Sequence, residues 1–201
     1  MISLKRGSER DLFWNFARAE FEIPEGGPRH DQPTISLALK DRVLTDQRDT
    51  LTNEDWQALR VAVLSTRSSI VQPLMDLGTE WFLGDLRSAS WGEVRVMNLR
   101  IFTDMAPTRR LRELASALDN GATPRIWKSS YYPHLRSTFD LSRMNGCPIM
   151  VAEQPTGPYT LVEGSTRMCV LVSREMHGEL VPSRIQMLLG VSTSLSRWEF
   201  Y

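Results

Sequence analysis

The chain has little cysteine, lysine or histidine. Two cysteines in 201 residues, Cys147 and Cys169, build neither a disulfide framework nor a metal site, and they imply a reduced, intracellular setting. The three histidines, His30, His134 and His177, lack metal-ligand spacing. No apolar run approaches the roughly 18 residues of a membrane span. The opening Met1-Ile2-Ser3-Leu4-Lys5-Arg6 leads into charge, not into an apolar signal region. The expectation is a cytoplasmic protein with no membrane association.

There is no net charge either. Twenty-four basic side chains balance 24 acidic ones. This excludes strong nonspecific binding of nucleic acid by the whole surface. The basic residues are 21 Arg and only three Lys. Arginine suits bidentate contacts to phosphate or carboxylate, although genome composition explains the same bias. Nine basic residues against four acidic ones fall within 95–143, where a nucleic-acid partner would have to bind.

What is present is ordinary globular composition, 41% hydrophobic and 24% charged. Residues 1–90 read as a helical region. Ser8 and Asp11 open a helix carrying Leu12, Phe13 and Phe16. Ile23 to Pro28 is a loop, and a shorter helix covers Ile35 to Gln47. Thr52 and Asp55 open a longer helix with Trp56, Leu59 and Val63, ending near Pro73. A further short helix is expected over Glu80 to Arg87. The three tryptophans Trp14, Trp56 and Trp81 imply that these helices pack on the carboxyl-terminal half of the chain.

From about residue 91 the texture changes. Val94, Val96 and Leu99 to Phe102 read as an irregular strand. Pro107 opens a helix with Leu111, Leu114, Ala115 and Leu118 on one face, closed by Asn120-Gly121. Ile126-Trp127 reads as a short strand and residues 128–146 as a long loop. Within that loop His134 has a possible acid/base role beside Tyr131 and Tyr132, and Lys128 and Arg136 could form an anion-binding rim; an ordered surface loop explains the same residues. Pro148 to Ala152 and Tyr159 to Val162 form a hairpin around Thr156-Gly157-Pro158. Met168 to Met176 is helical, Ile185 to Leu189 is a strand, and Trp198, Phe200 and Tyr201 lock the carboxyl end against the helices.

The turn Glu163-Gly164-Ser165-Thr166-Arg167 is the best candidate for chemistry. Glycine allows torsions closed to other residues and lets a ligand approach the backbone. Free N–H groups and the dipole of the following helix favour an anion. Ser165 and Thr166 add hydroxyls, and Arg167 adds a charged fork. Gly-x-x-Arg starts at Gly7, Gly26, Gly84, Gly92 and Gly164, but only the last lies between an apolar strand and an apolar helix. The competing reading is a simple turn, with Arg167 pairing to a carboxylate.

These pieces resemble the ParB/sulfiredoxin-like superfamily. The similar segments are the helix from Pro107 to Gly121, the strand Cys147 to Val151, the strand–turn–helix from Tyr159 to Leu171, and the strand Ile185 to Gly190. The resemblance spans residues 93–190. It implies an α/β fold with a small mixed sheet in a domain over 91–201, preceded by the helical region 1–90. It also implies nucleotide binding, with ATP or CTP and Mg²⁺ as cofactors. Gly164, Ser165, Thr166 and Arg167 would hold the phosphates. Glu163 would orient a metal or the arginine, and Asp104, if not a helix cap, would be the acidic base of a kinase-type reaction. Hydrolysis, phosphoryl transfer and nuclease action are all compatible.

Departures from the superfamily narrow this. Ser165 stands where a sulfinic acid reductase carries its cysteine, and Cys169 lies within an apolar helix. Segregation clamps continue into a helix-turn-helix domain, whereas the helices here precede the fold. The alternative function is a non-catalytic interaction protein of a toxin–antitoxin or phage-defence module, with a protein partner on the amino-terminal helices.

Overall fold

The computed structural model describes residues 4–21, 35–125, 128–140 and 146–201. The loop expected over Ile23 to Pro28, His30 and the strand expected at Ile126-Trp127 lie outside these residues.

Local sequence sets the amino-terminal elements. A short strand β1, Leu4–Arg6, leads into helix α1, Glu9–Phe21. Asp11 Oδ2 accepts the Ser8 N–H at 2.7 Å and the Ser8 hydroxyl at 2.8 Å, fixing the helix start. Helix α2, Leu37–Leu44, is capped by Ser36, whose hydroxyl oxygen accepts the Leu39 N–H. Helix α3, Asn53–Asp76, opens with a reciprocal box between Thr52 and Asp55. It runs through Pro73 into a last turn and is kinked at Arg67, whose torsions (φ −127°, ψ 17°) are not helical.

The segment Glu80–Arg87 is a strand, β2, and not the expected helix. Eight residues are too few for periodicity to separate the two, and pairing decides. Every residue of β2 pairs with strand β6, Arg184–Val191, from Glu80 opposite Val191 to Arg87 opposite Arg184. Past it, strand β3 is only Arg95–Val96, and Arg100–Thr103 form a helical turn, α4, where a strand was expected. Helix α5 begins at Leu111, later than Pro107 suggested. The Thr108 hydroxyl and N–H instead donate to Glu113 Oε2 at 2.7 and 2.9 Å, and Arg109 takes a positive φ of 62°. Within the expected loop 128–146, Tyr131–Thr138 form helix α6. Pro133 fits there because it lies in the first turn, where its missing N–H breaks no helical bond.

Strand β4, Ile149–Ala152, strand β5, Thr160–Glu163, and helix α7, Ser165–Met176, follow expectation, with α7 opening directly after Gly164. The six strands form one mixed sheet in the order β1-β2-β6-β4-β5-β3. β4 runs parallel to β6 and antiparallel to β5, and β3 runs parallel to β5. All four residues of β4 are buried, so the sheet centre is covered on both faces. Helix α5 packs on α7, and α1 packs on α2, α3 and β2.

A single apolar cluster joins Phe16, Trp56 and Trp81 to Leu114, Met150, Leu161 and Met168. Sheet and core therefore both cross residue 90: β1 and β2 complete a sheet whose other strands come from the second half. Buried Trp198 stacks edge-on against Phe200 at 5.5 Å. Arg109 donates to the carbonyl oxygens of Tyr201 at 2.8 Å and Phe200 at 3.3 Å, fixing the carboxyl end. Among the described residues no helix is long and apolar enough to cross a membrane.

Candidate functional site

The turn after β5 has the backbone the sequence suggested. Gly164 sits in the left-handed region (φ 93°, ψ 15°) directly before α7. Open space is not what demands glycine there, since an added Cβ would touch Pro148 at an ordinary 3.4 Å. The torsion does. Having no side chain, Gly164 also leaves the first N–H groups of α7 without a cap from its own position. Ser165, Thr166 and Arg167 are half-buried. The arrangement offers amide hydrogens, two hydroxyls and a positive dipole end to an anion.

Glu163 and Arg167 are held by the turn itself. Glu163 Oε1 accepts the Gly164 N–H at 2.8 Å and lies 3.9 Å from Arg167 Nη2. Arg167 Nη1 donates to the Gly146 carbonyl at 3.1 Å. The arginine thus braces the 146–148 segment across the mouth of the turn, and the carboxylate partner expected for it is Glu163. Asp104 is placed differently. It closes α4, with its carboxylate 3.5 Å from Arg100 in solvent.

Three other elements converge here. Tyr131, at the start of α6, is buried and shares a side-chain hydrogen bond with Thr166. Burial pushes its phenol up, and so does the nearby charge of Glu163, while Thr166 and Arg167 oppose the rise. From α1, Asn15 Oδ1 accepts the Cys147 N–H at 2.8 Å. At the end of α1, Glu20 is paired with Arg67 at the kink of α3, and the charge of Glu163 acts on it. Sequence reasoning missed Asn15, Glu20 and Arg67. The local trace of Asn15 and Glu20 is polar identity at buried positions of α1, and Arg67 lies on α3.

Both thiols are free and buried. Burial pushes Cys147 up to about 12 and raises the fully buried Cys169 as well. His134 is exposed on α6. Five of the eight described basic residues of 95–143 have partners within the protein. Arg100, Arg110, Arg112 and Arg136 each pair with a carboxylate, and Arg109 serves the carboxyl end. Arg136 binds Glu179 and Ser173, so it builds no anion rim with Lys128. At the opposite end of β5, a groove of about 720 Å³ is lined by Glu93, Arg95, Thr108, Arg110 and Tyr159. It is open, and Arg110 is already 3.4 Å from Glu93.

No group of three or more His, Cys, Asp or Glu side chains could hold a metal among the described residues. A Mg²⁺ arriving with nucleotide phosphates needs only one or two carboxylates, and among the described residues Glu163 stands in the turn itself. No model of a known protein family, no curated protein and no solved structure matches this chain.

Proposed function

We propose that the protein is a nucleotide-binding member of the ParB/sulfiredoxin-like superfamily that holds phosphate groups at the Glu163–Arg167 turn. The observation that carries this reading is the left-handed Gly164 placed directly before the 12-residue helix α7. A phosphate there meets the N–H groups of Ser165, Thr166 and Arg167 and the hydroxyls of Ser165 and Thr166. The nucleotide is ATP or CTP with Mg²⁺, and Glu163 is the residue that would carry the metal or hold Arg167. When bound, Mg²⁺ would neutralise charge developing on a transferred phosphoryl group. Hydrolysis or phosphoryl transfer suits this site. Asp104, which the superfamily resemblance makes the acidic base, stands in an exposed ion pair with Arg100. Nuclease action finds less support, because four of the seven described arginines of 95–143 pair with carboxylates.

One observation favours the second reading, a non-catalytic interaction protein whose amino-terminal helices take a protein partner. Arg167 is already engaged by Gly146 and Glu163. Titrating the protein with ATP, CTP, GTP and UTP, with and without Mg²⁺, separates the two. Saturable binding of one nucleotide that Gly164→Val abolishes in a folded protein supports the first reading. A folded protein that binds none supports the second.

A further inference from the structure

Two arginines face each other at the β3 edge of the sheet. An antiparallel bridge sets Arg95 directly opposite Arg110. Both line the open groove of about 720 Å³ at the end of β5 away from Gly164. Like charges placed opposite each other across a bridge repel. Arg110 also immediately precedes α5, Leu111–Asp119, where the positive end of the helix dipole disfavours a cation. The compensation is incomplete. Glu93 lies 3.4 Å from Arg110 Nη2, with both side chains exposed. Glu113 is occupied by the Thr108 hydroxyl and N–H. Among the described residues Arg95 has no carboxylate partner. Arg109 is turned away toward the carbonyl oxygens of Val96, Phe200 and Tyr201.

One carboxylate thus stands against two guanidinium groups and a helix start. A dianion that displaces the exposed Glu93 would neutralise both arginines at once, and a phosphomonoester carries nearly two charges at neutral pH. Arginine forks match its oxygens. The groove is far larger than a phosphate group and falls in the range of small-molecule sites. Its wall includes Pro158 and Tyr159, and the Tyr159 ring is fixed by its hydroxyl donating to the Pro155 carbonyl at 2.8 Å. The geometry points to a second anion site, separate from the Glu163–Arg167 turn: the groove takes a small phosphomonoester, its phosphate held between Arg95 and Arg110 and its organic body laid on Pro158 and Tyr159.

Phenyl phosphate is the probe, titrated to millimolar concentration against ¹⁵N-labelled protein, with inorganic phosphate and benzoate beside it. Saturable shifts should appear at the amides of Arg95, Arg110 and Tyr159. Inorganic phosphate should bind the same place more weakly, for want of the ring, and benzoate more weakly for want of the second charge. Arg95→Ala and Arg110→Ala should each lower the affinity by about ten- to a hundredfold, one charge-assisted contact apiece. Glu93→Gln removes the competing carboxylate and should raise it. Gly164→Val should leave it unchanged, whatever that variant does to nucleotide binding at the turn. No saturable shift at the groove overturns the inference, as do shifts confined to Ser165–Arg167. Benzoate binding as tightly as phenyl phosphate overturns it too, and so do folded Arg95→Ala and Arg110→Ala proteins that bind like the parent. If neither alanine variant folds, the shift map of the parent and the effect of Glu93→Gln decide.

Discussion

Asn15 caps a backbone segment 132 residues further along the chain: its Oδ1 accepts the Cys147 N–H at 2.8 Å, and the Cys147 thiol approaches the same oxygen at 3.3 Å. Its amide nitrogen donates to the Asp11 carbonyl at 2.8 Å. Both bonds are buried, so one side chain ties α1 to the strand entrance that faces the turn. Truncation strands the Cys147 N–H, whereas the Asp11 carbonyl keeps its helical partner. Asn15→Ala should cost about 1–3 kcal/mol, the penalty for buried polar groups left unpaired. Asn15→Asp keeps the acceptor for Cys147 and should cost less than alanine at low pH, where the acid is neutral. Urea unfolding of both variants tests the order. An alanine variant as stable as the parent would mean that α1 is held by apolar packing alone.

The torsion at Gly164 makes a graded prediction. A left-handed residue is open to glycine, tolerated by asparagine, costly for alanine and worst for a β-branched side chain. Stability should fall in the order Gly164, Gly164→Asn, Gly164→Ala, Gly164→Val. The alanine step should be about 1–2 kcal/mol. Because Pro148 lies at an ordinary contact distance, space contributes little to the first two steps. If alanine and asparagine destabilise equally, the local torsion differs from the left-handed one.

Arg167 has two tasks, and its variants should separate them. Removing the guanidinium frees the Gly146 carbonyl and the Glu163 carboxylate together. Arg167→Ala should therefore lower stability by about 1–2 kcal/mol. It should also weaken nucleotide binding by about ten- to a hundredfold, the equivalent of one charge-assisted hydrogen bond. Lysine keeps the charge without the fork and should fall between. Calorimetric affinities beside thermal melts check this. Reduced stability with unchanged affinity would make Arg167 a brace and nothing more.

The strand–turn–helix around Gly164 was legible because local cues coincide there: an apolar run, a glycine at the reversal and an apolar helical face. The capped starts at Ser8 and Thr52 were legible for the same reason, since each rests on side chains three residues apart. The strand character of Glu80–Arg87 was not legible, because its stabilising partner lies at the far end of the chain in β6. Helix α6 was masked by Pro133, which reads as a breaker unless the helix start is known. Of the site, the turn residues were found together because they are contiguous. Asn15, Glu20 and Arg67 were not found, because only the folding of α1 and α3 brings them to it. Asp104 was chosen by proximity to a strand–helix junction, and the chain uses that position to end α4.

The two buried carboxyls of α1 should titrate with opposite effects on stability. For Asp11, burial acts upward, but the Arg48 hydrogen bond, the Ser8 bonds and the Arg48 charge together hold it below its ordinary 3.8. A depressed carboxyl stabilises the fold above its unfolded value, and that contribution disappears as pH falls through the folded one. Asp11→Asn should therefore be destabilising at neutral pH and nearly neutral in strong acid. Glu20 runs the other way: burial, with the charge of Glu163, raises it above its ordinary 4.5 despite Arg67. Its contribution is fully present below 4.5 and is lost as pH rises through the folded value. Glu20→Gln should match the parent in acid and become progressively more stable than it toward neutral pH. Urea unfolding of parent and both variants across the acid-to-neutral range reads both signs. A Glu20→Gln variant whose relative stability falls with rising pH would show that the Arg67 ion pair outweighs the cost of burying the charge.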